Sequence, residues 1–214
     1  MNDIERAAHI LIERLSGEIS SPKDAVPVGI SNRHIHLSED DLYACFGENC
    51  ALTPTKELSQ PGQFACRETM TVCGPKGVIE RVRVLGPVRK QTQVELLASD
   101  TFKLGVRAPL RLSGDLADSA GVTLVGPAGS VFIRQGAIVA KRHIHMTPAD
   151  AERFGVHDGQ SVAIEIPGGR GGILDDVIVR VSDESGLELH IDTEEANALG
   201  VNASMQLRMI KQRC

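Results

Sequence analysis

Four of the seven histidines in this chain of 214 residues fall in two His-x-His units, His34-Ile35-His36 and His143-Ile144-His145. Side chains alternate across a β-strand, so histidines two apart project to one face, roughly 6–7 Å apart along the chain. Two imidazoles so placed can grip one metal ion. A single His-x-His is a weak signal. Here each copy sits inside a longer duplicated motif. Asn32-Arg33-His34-Ile35-His36-Leu37-Ser38 recurs as Lys141-Arg142-His143-Ile144-His145-Met146-Thr147, at an offset of 143 − 34 = 109 residues.

A metal site normally needs a third protein ligand. Downstream of the second motif, Gly-Leu-Glu-Leu-His190-Ile-Asp alternates like a strand and offers His190. The corresponding place after the first motif is Gln-Thr-Gln-Val-Glu95-Leu, which offers Glu95. His143, His145 and His190 form a three-nitrogen set suited to tetrahedral zinc with one open position. His34, His36 and Glu95 form a harder set that could keep several waters. Glu188 shares a strand face with His190, and spacing does not exclude it as a competing ligand. His9, in a helical pattern, and His157, in Val-His-Asp-Gly, read as solvent-facing. Arg81, Arg83, Arg89 and Lys90 bracket Leu85-Gly-Pro-Val88. Arg81 reads as a solvated hairpin residue. Arg89, six residues before Glu95, could reach an anion near the metal with its guanidinium fork.

The elements that must position these residues are mostly strands. Met70–Cys73 and Val78–Leu85 flank Gly74-Pro-Lys-Gly77 as a hairpin. Val122–Val125 and Ser130–Arg134 do the same around Gly126-Pro-Ala-Gly129, and Val162–Ile166 and Ile173–Val181 around residues 167–172. Many short strands with Gly/Pro turns predict compact antiparallel barrels or sandwiches, and the duplicated motif predicts two such units. Ser38 and Thr147 suit helix N-caps, followed by acids three residues on, and the short helices should end at Gly47 and Gly155. Residues 3–15 read as an amphipathic helix, tethered by a linker with breakers at Gly17 and Pro22. The expected division is therefore 1–24 for helix and linker, 25–117 for the first unit and 118–214 for the second, with the C-terminal strand free to return to the first.

Composition narrows the class. Aromatics are only 3% and Trp is absent, which argues against a stacking platform for single-stranded nucleic acid. A net charge of −5 lacks the basic footprint of a phosphate-backbone binder. The cysteines, Cys45, Cys50, Cys66, Cys73 and Cys214, are odd in number and form no C-x-x-C, so a disulfide framework is not expected and a reducing cytoplasm is. No apolar run approaches the roughly 18 residues of a membrane span.

Together, R-H-I-H-L-S, R-H-I-H-M-T, G-P-V-R-K-Q-T-Q-V-E-L and L-E-L-H-I-D-T-E-E-A-N make the chain resemble the PduL family of phosphotransacylases over roughly residues 25–205. The resemblance implies a mainly β fold: two β-barrel domains with short capping helices, preceded by the N-terminal helix. It implies a dinuclear zinc site between the barrels and acyl transfer between coenzyme A and phosphate. His143, His145 and His190 match the ligands of one zinc, near the CoA sulfur, and His34, His36 and Glu95 those of the other. Arg89 matches the phosphate-binding arginine. Ser31, Lys56, Arg83 and Asn197 match polar positions of the CoA site, and Phe102 its apolar wall. Some members carry N-terminal helices that direct enclosure in bacterial microcompartments, and residues 3–15 resemble such an extension in pattern. Shell or cargo proteins are then expected partners, and paired barrels suggest a homo-oligomer.

The expected reaction interconverts propanoyl-CoA plus phosphate with propanoyl phosphate plus CoA, by direct attack without an acyl-enzyme. Acetyl and propanoyl preference are not separable from sequence. A metal-dependent hydrolase is the alternative enzyme, although the Asp-His that usually follows His-x-His there is replaced by Leu37-Ser38 and Met146-Thr147. A zinc-stabilised scaffold is the non-catalytic alternative.

Overall fold

The computed structural model describes residues 25–210. The helix expected at residues 3–15, its linker, His9 and Cys214 lie outside the described residues. The elements run β1 (Ala25–Ser31), β2 (His34–Ser38), α1 (Glu39–Phe46), β3 (Pro54–Glu57), β4 (Phe64–Cys73), β5 (Val78–Arg89), β6 (Gln93–Leu96), α2 (Ala98–Leu104), β7 (Leu110–Arg111), β8 (Ala120–Val125) and β9 (Ser130–Ala140). They continue with β10 (His143–Met146), α3 (Pro148–Phe154), β11 (Ser161–Ile166), β12 (Gly172–Val181), β13 (Glu188–Asp192), α4 (Thr193–Leu199) and β14 (Gln206–Ile210). The fold is mainly β, and each expected hairpin is present with its Gly-Pro turn or loop.

Hydrogen bonding sorts the strands into two sheets, each mixed rather than antiparallel throughout as expected, because β1–β13 and β10–β12 in one and β2–β5 and β6–β9 in the other pair in parallel. One is a closed barrel, β1-β13-β10-β12-β11-β14. The other has eight strands, ordered β3-β4-β5-β2-β6-β9-β7, with β8 pairing both β4 and β9. The path β4-β5-β2-β6-β9-β8 therefore also returns on itself. Each sheet has its own hydrophobic core. Val28, Ile144, Ile164, Leu189 and Leu207 are buried in the first. Ile35, Leu37, Val84, Val94 and Leu124 are buried in the second.

These paths do not follow the expected halves. β1 precedes residue 117 yet pairs with β13 and β14. β8 and β9 follow it yet pair with β4 and β6, respectively. The reason is two short crossovers. Asn32-Arg33 carries the chain from β1 in the closed barrel to β2 in the other sheet, and Lys141-Arg142 carries it back from β9 to β10. Both crossovers stand immediately before a His-x-His unit.

Local chemistry explains the capping helices. Ser38 Oγ accepts from Asp41 N at 3.3 Å to start α1, and Thr147 Oγ1 accepts from Asp150 N at 3.1 Å to start α3, where Pro148 occupies N1. Gly155 stops α3 in the left-handed region, at φ 59°. Gly47 stops α1 at φ 100° and ψ 157°, outside the left-handed helical region that was expected there. Helices α2 and α4 were not anticipated from periodicity. Asp192-Thr-Glu-Glu195 nevertheless has capping-box spacing, and Asp192 Oδ1 accepts from Glu195 N at 2.8 Å while Glu195 Oε2 accepts from Asp192 N at 3.1 Å.

Candidate active site

Strand alternation aims the site. On β2, Ile35 and Leu37 fill the core, so His34 and His36 face outward. On β10, Ile144 and Met146 do the same for His143 and His145. The third ligands obey the same rule. Val94 and Leu96 turn inward on β6, leaving Gln93 and Glu95 outward, and Leu189 and Ile191 leave Glu188 and His190 outward on β13.

Register completes each group. β2 pairs antiparallel with β6, which sets Glu95 opposite His34. β10 pairs antiparallel with β13, which sets His190 opposite His143. Ligand atoms of His34, His36 and Glu95 lie within 4.8 Å of one another, as do those of His143, His145 and His190. Both groups line one cavity of about 480 Å³.

The crossovers orient the leading imidazoles. His34 Nδ1 lies 2.8 Å from Asn32 O, and His143 Nδ1 lies 2.9 Å from Lys141 O. Each backbone carbonyl accepts a hydrogen bond from Nδ1–H, which leaves the Nε2 lone pair for a ligand. His34 Nε2 is 3.4 Å from Glu95 Oε2, and His143 Nε2 is 3.1 Å from His145 Nε2.

Electrostatics keep His36, His143, His145 and Glu95 in ligand form. Burial, the charge of His34 and Arg89 press His36 down to about 2. Burial and neighbouring histidines hold His143 near 4 and His145 near 3, and Arg180 pushes both the same way. These imidazoles are neutral at neutral pH. Burial raises the Glu95 carboxyl, but the adjacent His34 outweighs it and keeps it ionised below the usual carboxylate range. Burial likewise opposes a proton on His34, and Glu95 reverses that, so His34 is raised.

This donor set fits a metal. His36 Nδ1 is buried without a well-formed hydrogen bond, its loose backbone partner being Leu85 across the strand pair. Two imidazoles plus a carboxylate, and three imidazoles, are both zinc donor sets. A cation held by His34 and Glu95 would take the place of a proton on His34.

Further side chains support the clusters. Gln93 Nε2 donates to Glu95 Oε1 at 2.6 Å and to Ser113 Oγ at 2.8 Å, and Arg89 donates to the same Ser113 Oγ at 3.2 Å. Glu188 Oε2 lies 2.6 Å from His190 Nε2 and also accepts from Ser59 Oγ. Gly29 stands beside His190 on β1, where an added Cβ would lie 2.7 Å from Glu188 Cδ. Only glycine leaves that carboxylate its place.

Of the other expected site residues, Arg89, Ser31 and Arg83 line the cavity. Ser31 Oγ donates to Ile191 O at 3.3 Å. Arg83 donates to Cys66 O at 2.8 Å and Arg67 O at 2.9 Å, so part of its donor capacity is spent on backbone. Lys56, Phe102 and Asn197 are exposed and do not line the cavity. Phe102 is 82% exposed. Arg81 and His157 are exposed, as expected.

Arg180 was missed by sequence reasoning. It lies across from His145 on β12 and lines the cavity. Burial depresses Arg89, Glu95 opposes that, and the charge of Arg180 adds a smaller push in the same direction as burial. In the sequence it is one arginine of an alternating strand, with nothing to mark it. Among the described residues, no helix is long and apolar enough to cross a membrane.

Residues 27–202 match the family model described as phosphate propanoyltransferase. A Thermotoga maritima protein named phosphate propanoyltransferase is 56% identical over 176 residues, covering 82% of this chain and 84% of its own. A Rhodobacter capsulatus protein of the same name is 50% identical over 205 residues, covering 94% and 95%. One from Rhodopseudomonas palustris is 48% identical over 201 residues, covering 94% and 89%. The matched span takes in both ligand groups and both arginines, and the chain belongs to the phosphate propanoyltransferase family, a family of acyltransferases.

Proposed function

We propose that the chain interconverts propanoyl-CoA plus phosphate with propanoyl phosphate plus CoA, at two zinc ions held by His34, His36 and Glu95 and by His143, His145 and His190. The observation that carries this reading is the opening of both groups, with Arg89 and Arg180, onto one cavity. Zinc bound there would act as a Lewis acid toward the thioester carbonyl and favour the thiolate form of the departing sulfur.

The chain's own residues supply the rest. Arg89 and Arg180 both line the cavity, and their two guanidinium groups would pair a phosphate held between them. Ile30, Leu58 and Leu85 give the cavity apolar wall against which an acyl chain can lie. A phosphate oxygen attacks the thioester carbon, the C–O bond forms, the C–S bond breaks, and the phosphate's proton passes to the CoA sulfur. Neither Cys45 nor Cys66, both buried in the core, lines the cavity as a nucleophile. Holding the reactants side by side removes most of the entropic cost of their meeting.

Ser31 and Arg83 contact CoA at the cavity, and Lys56, Phe102 and Asn197 contact it beyond the cavity rim. The two sheets act as two barrel units, and residues 1–24 direct enclosure in a microcompartment. The test is acyl-phosphate formation from acyl-CoA esters of increasing length, with zinc measured in the same sample. Phosphate-dependent turnover with about two zinc ions per chain supports the reading, and phosphate-independent thioester hydrolysis overturns it. A chain lacking residues 1–20 that is still enclosed as well as the full chain overturns the targeting role.

A further inference from the structure

Arg33 and Arg142 precede the two His-x-His units, and each sits on a crossover between the sheets. Arg33 Nε lies 2.6 Å from Asp100 Oδ2, and Arg142 Nε lies 2.8 Å from Glu195 Oε1. The acids are equivalent in place: 100 − 95 = 5 and 195 − 190 = 5, so each stands five residues beyond the third ligand of the same group. Each also closes a helix cap. Asp100 Oδ2 accepts from Leu97 N at 3.0 Å, and Glu195 Oε2 accepts from Asp192 N at 3.1 Å. Arg142 makes one further bond, donating to Asp175 O at 3.1 Å.

We propose that Arg33 and Arg142 are positioning residues for the two metal groups, each tying the crossover that orients its leading histidine to the helix cap that follows its third ligand. The proposal rests on the metal reading above. The crossover carbonyls of Asn32 and Lys141 aim His34 and His143. The strands β6 and β13 carry Glu95 and His190 into the caps of α2 and α4. A guanidinium bonded to the cap carboxylate therefore fixes both ends of each ligand group against one another. Asp100 is 4% exposed, so its bond to Arg33 is sheltered from solvent. The two caps also touch, because Ser99 N donates to the Glu194 carboxylate at 3.3 Å. Each arginine thus acts on its own group while the two groups share a frame.

Outer groups that orient metal ligands typically change metal affinity 10–100-fold. The experiment uses full-length chains in which one group is disabled. His143→Ala leaves the His34, His36, Glu95 group, and His34→Ala leaves the other. Zinc affinity is read by chelator competition, and thermal unfolding checks the fold. Arg33→Gln should weaken zinc about 10–100-fold in the His143→Ala chain and less than about 3-fold in the His34→Ala chain. Arg142→Gln should do the reverse. Equal loss in both backgrounds, or no loss in either, overturns the positioning role. If an arginine variant fails to fold, Asp100→Asn and Glu195→Gln keep the side-chain shape and are read in the same crossed assay, with the same two outcomes. If neither parent chain binds zinc, the metal reading falls and this proposal falls with it, whereas normal zinc in every variant overturns the positioning role alone.

Discussion

Glu95 stands directly opposite His34 across an antiparallel strand pair, with Oε2 3.4 Å from Nε2, and His190 occupies the same register position opposite His143. One geometry is thus used twice with different chemistry. The carboxylate gives the first group a formal negative charge, and the imidazole leaves the second neutral. The two groups should differ in metal exchange, a competing chelator stripping zinc in two separable steps rather than one.

Replacing His143 with Ala should remove about one zinc ion per chain and lower kcat at least about 100-fold, since even supporting groups around a metal change activity 10–100-fold. Elemental analysis paired with acyl-phosphate assay checks it. Full turnover in a chain that has lost the metal would refute the ligand assignment.

Arg89→Ala should act mainly on phosphate. A charge-assisted hydrogen bond contributes about 1.5–3 kcal/mol, so the KM for phosphate should rise about 10–100-fold with little change in the KM for CoA. Arg180→Ala should show the same split. An unchanged phosphate dependence in both variants counts against a paired anion site.

Gln93 is buried, and its side chain bridges Glu95, Ser113 and the amide of Gly114, the last at 2.8 Å. Gln93→Ala strands these groups and should cost about 1–3 kcal/mol, seen as a drop of several degrees in Tm. An unaltered melting curve would show that the network contributes nothing.

Gly29→Ala places a Cβ 2.7 Å from Glu188 Cδ, and the carboxylate must leave His190. Because the clash meets the flexible end of Glu188, the side chain can swing aside at little cost to the fold. Weaker zinc binding at the three-histidine group, with the other group unaffected, is the expected signature in chelator titration.

Burial raises the Cys66 thiol to about 11, so at pH 8 only about one molecule in a thousand carries the thiolate. Because the shift is upward, reactivity should appear only as pH climbs toward 11. Burial pushes Cys45 up as well. Alkylation at pH 8 should modify both only after unfolding, and mass spectrometry of the native chain reads this directly.

Much of the site was legible because it depends on local periods. His34 and His36 had to share a face once Ile35 and Leu37 were needed in a core, and the same holds for His143 and His145 around Ile144. The strand alternation around Glu95 and His190 marked them as partners in the same way. Ser38 and Thr147 marked their helix starts because capping is decided within four residues. What the residues alone left open was nonlocal. Glu188 and His190 were indistinguishable by spacing, and only the register with β10 puts His190 opposite His143 and Glu188 opposite His145. β1 reads like any first-half strand, yet it closes the barrel of the second half, because a two-residue crossover can carry the chain between sheets and no local pattern records which edge the next strand will join. Arg180 became a site residue for the same reason. Its own strand says only that it faces outward, and what it faces is set by hydrogen bonds between segments far apart in the chain.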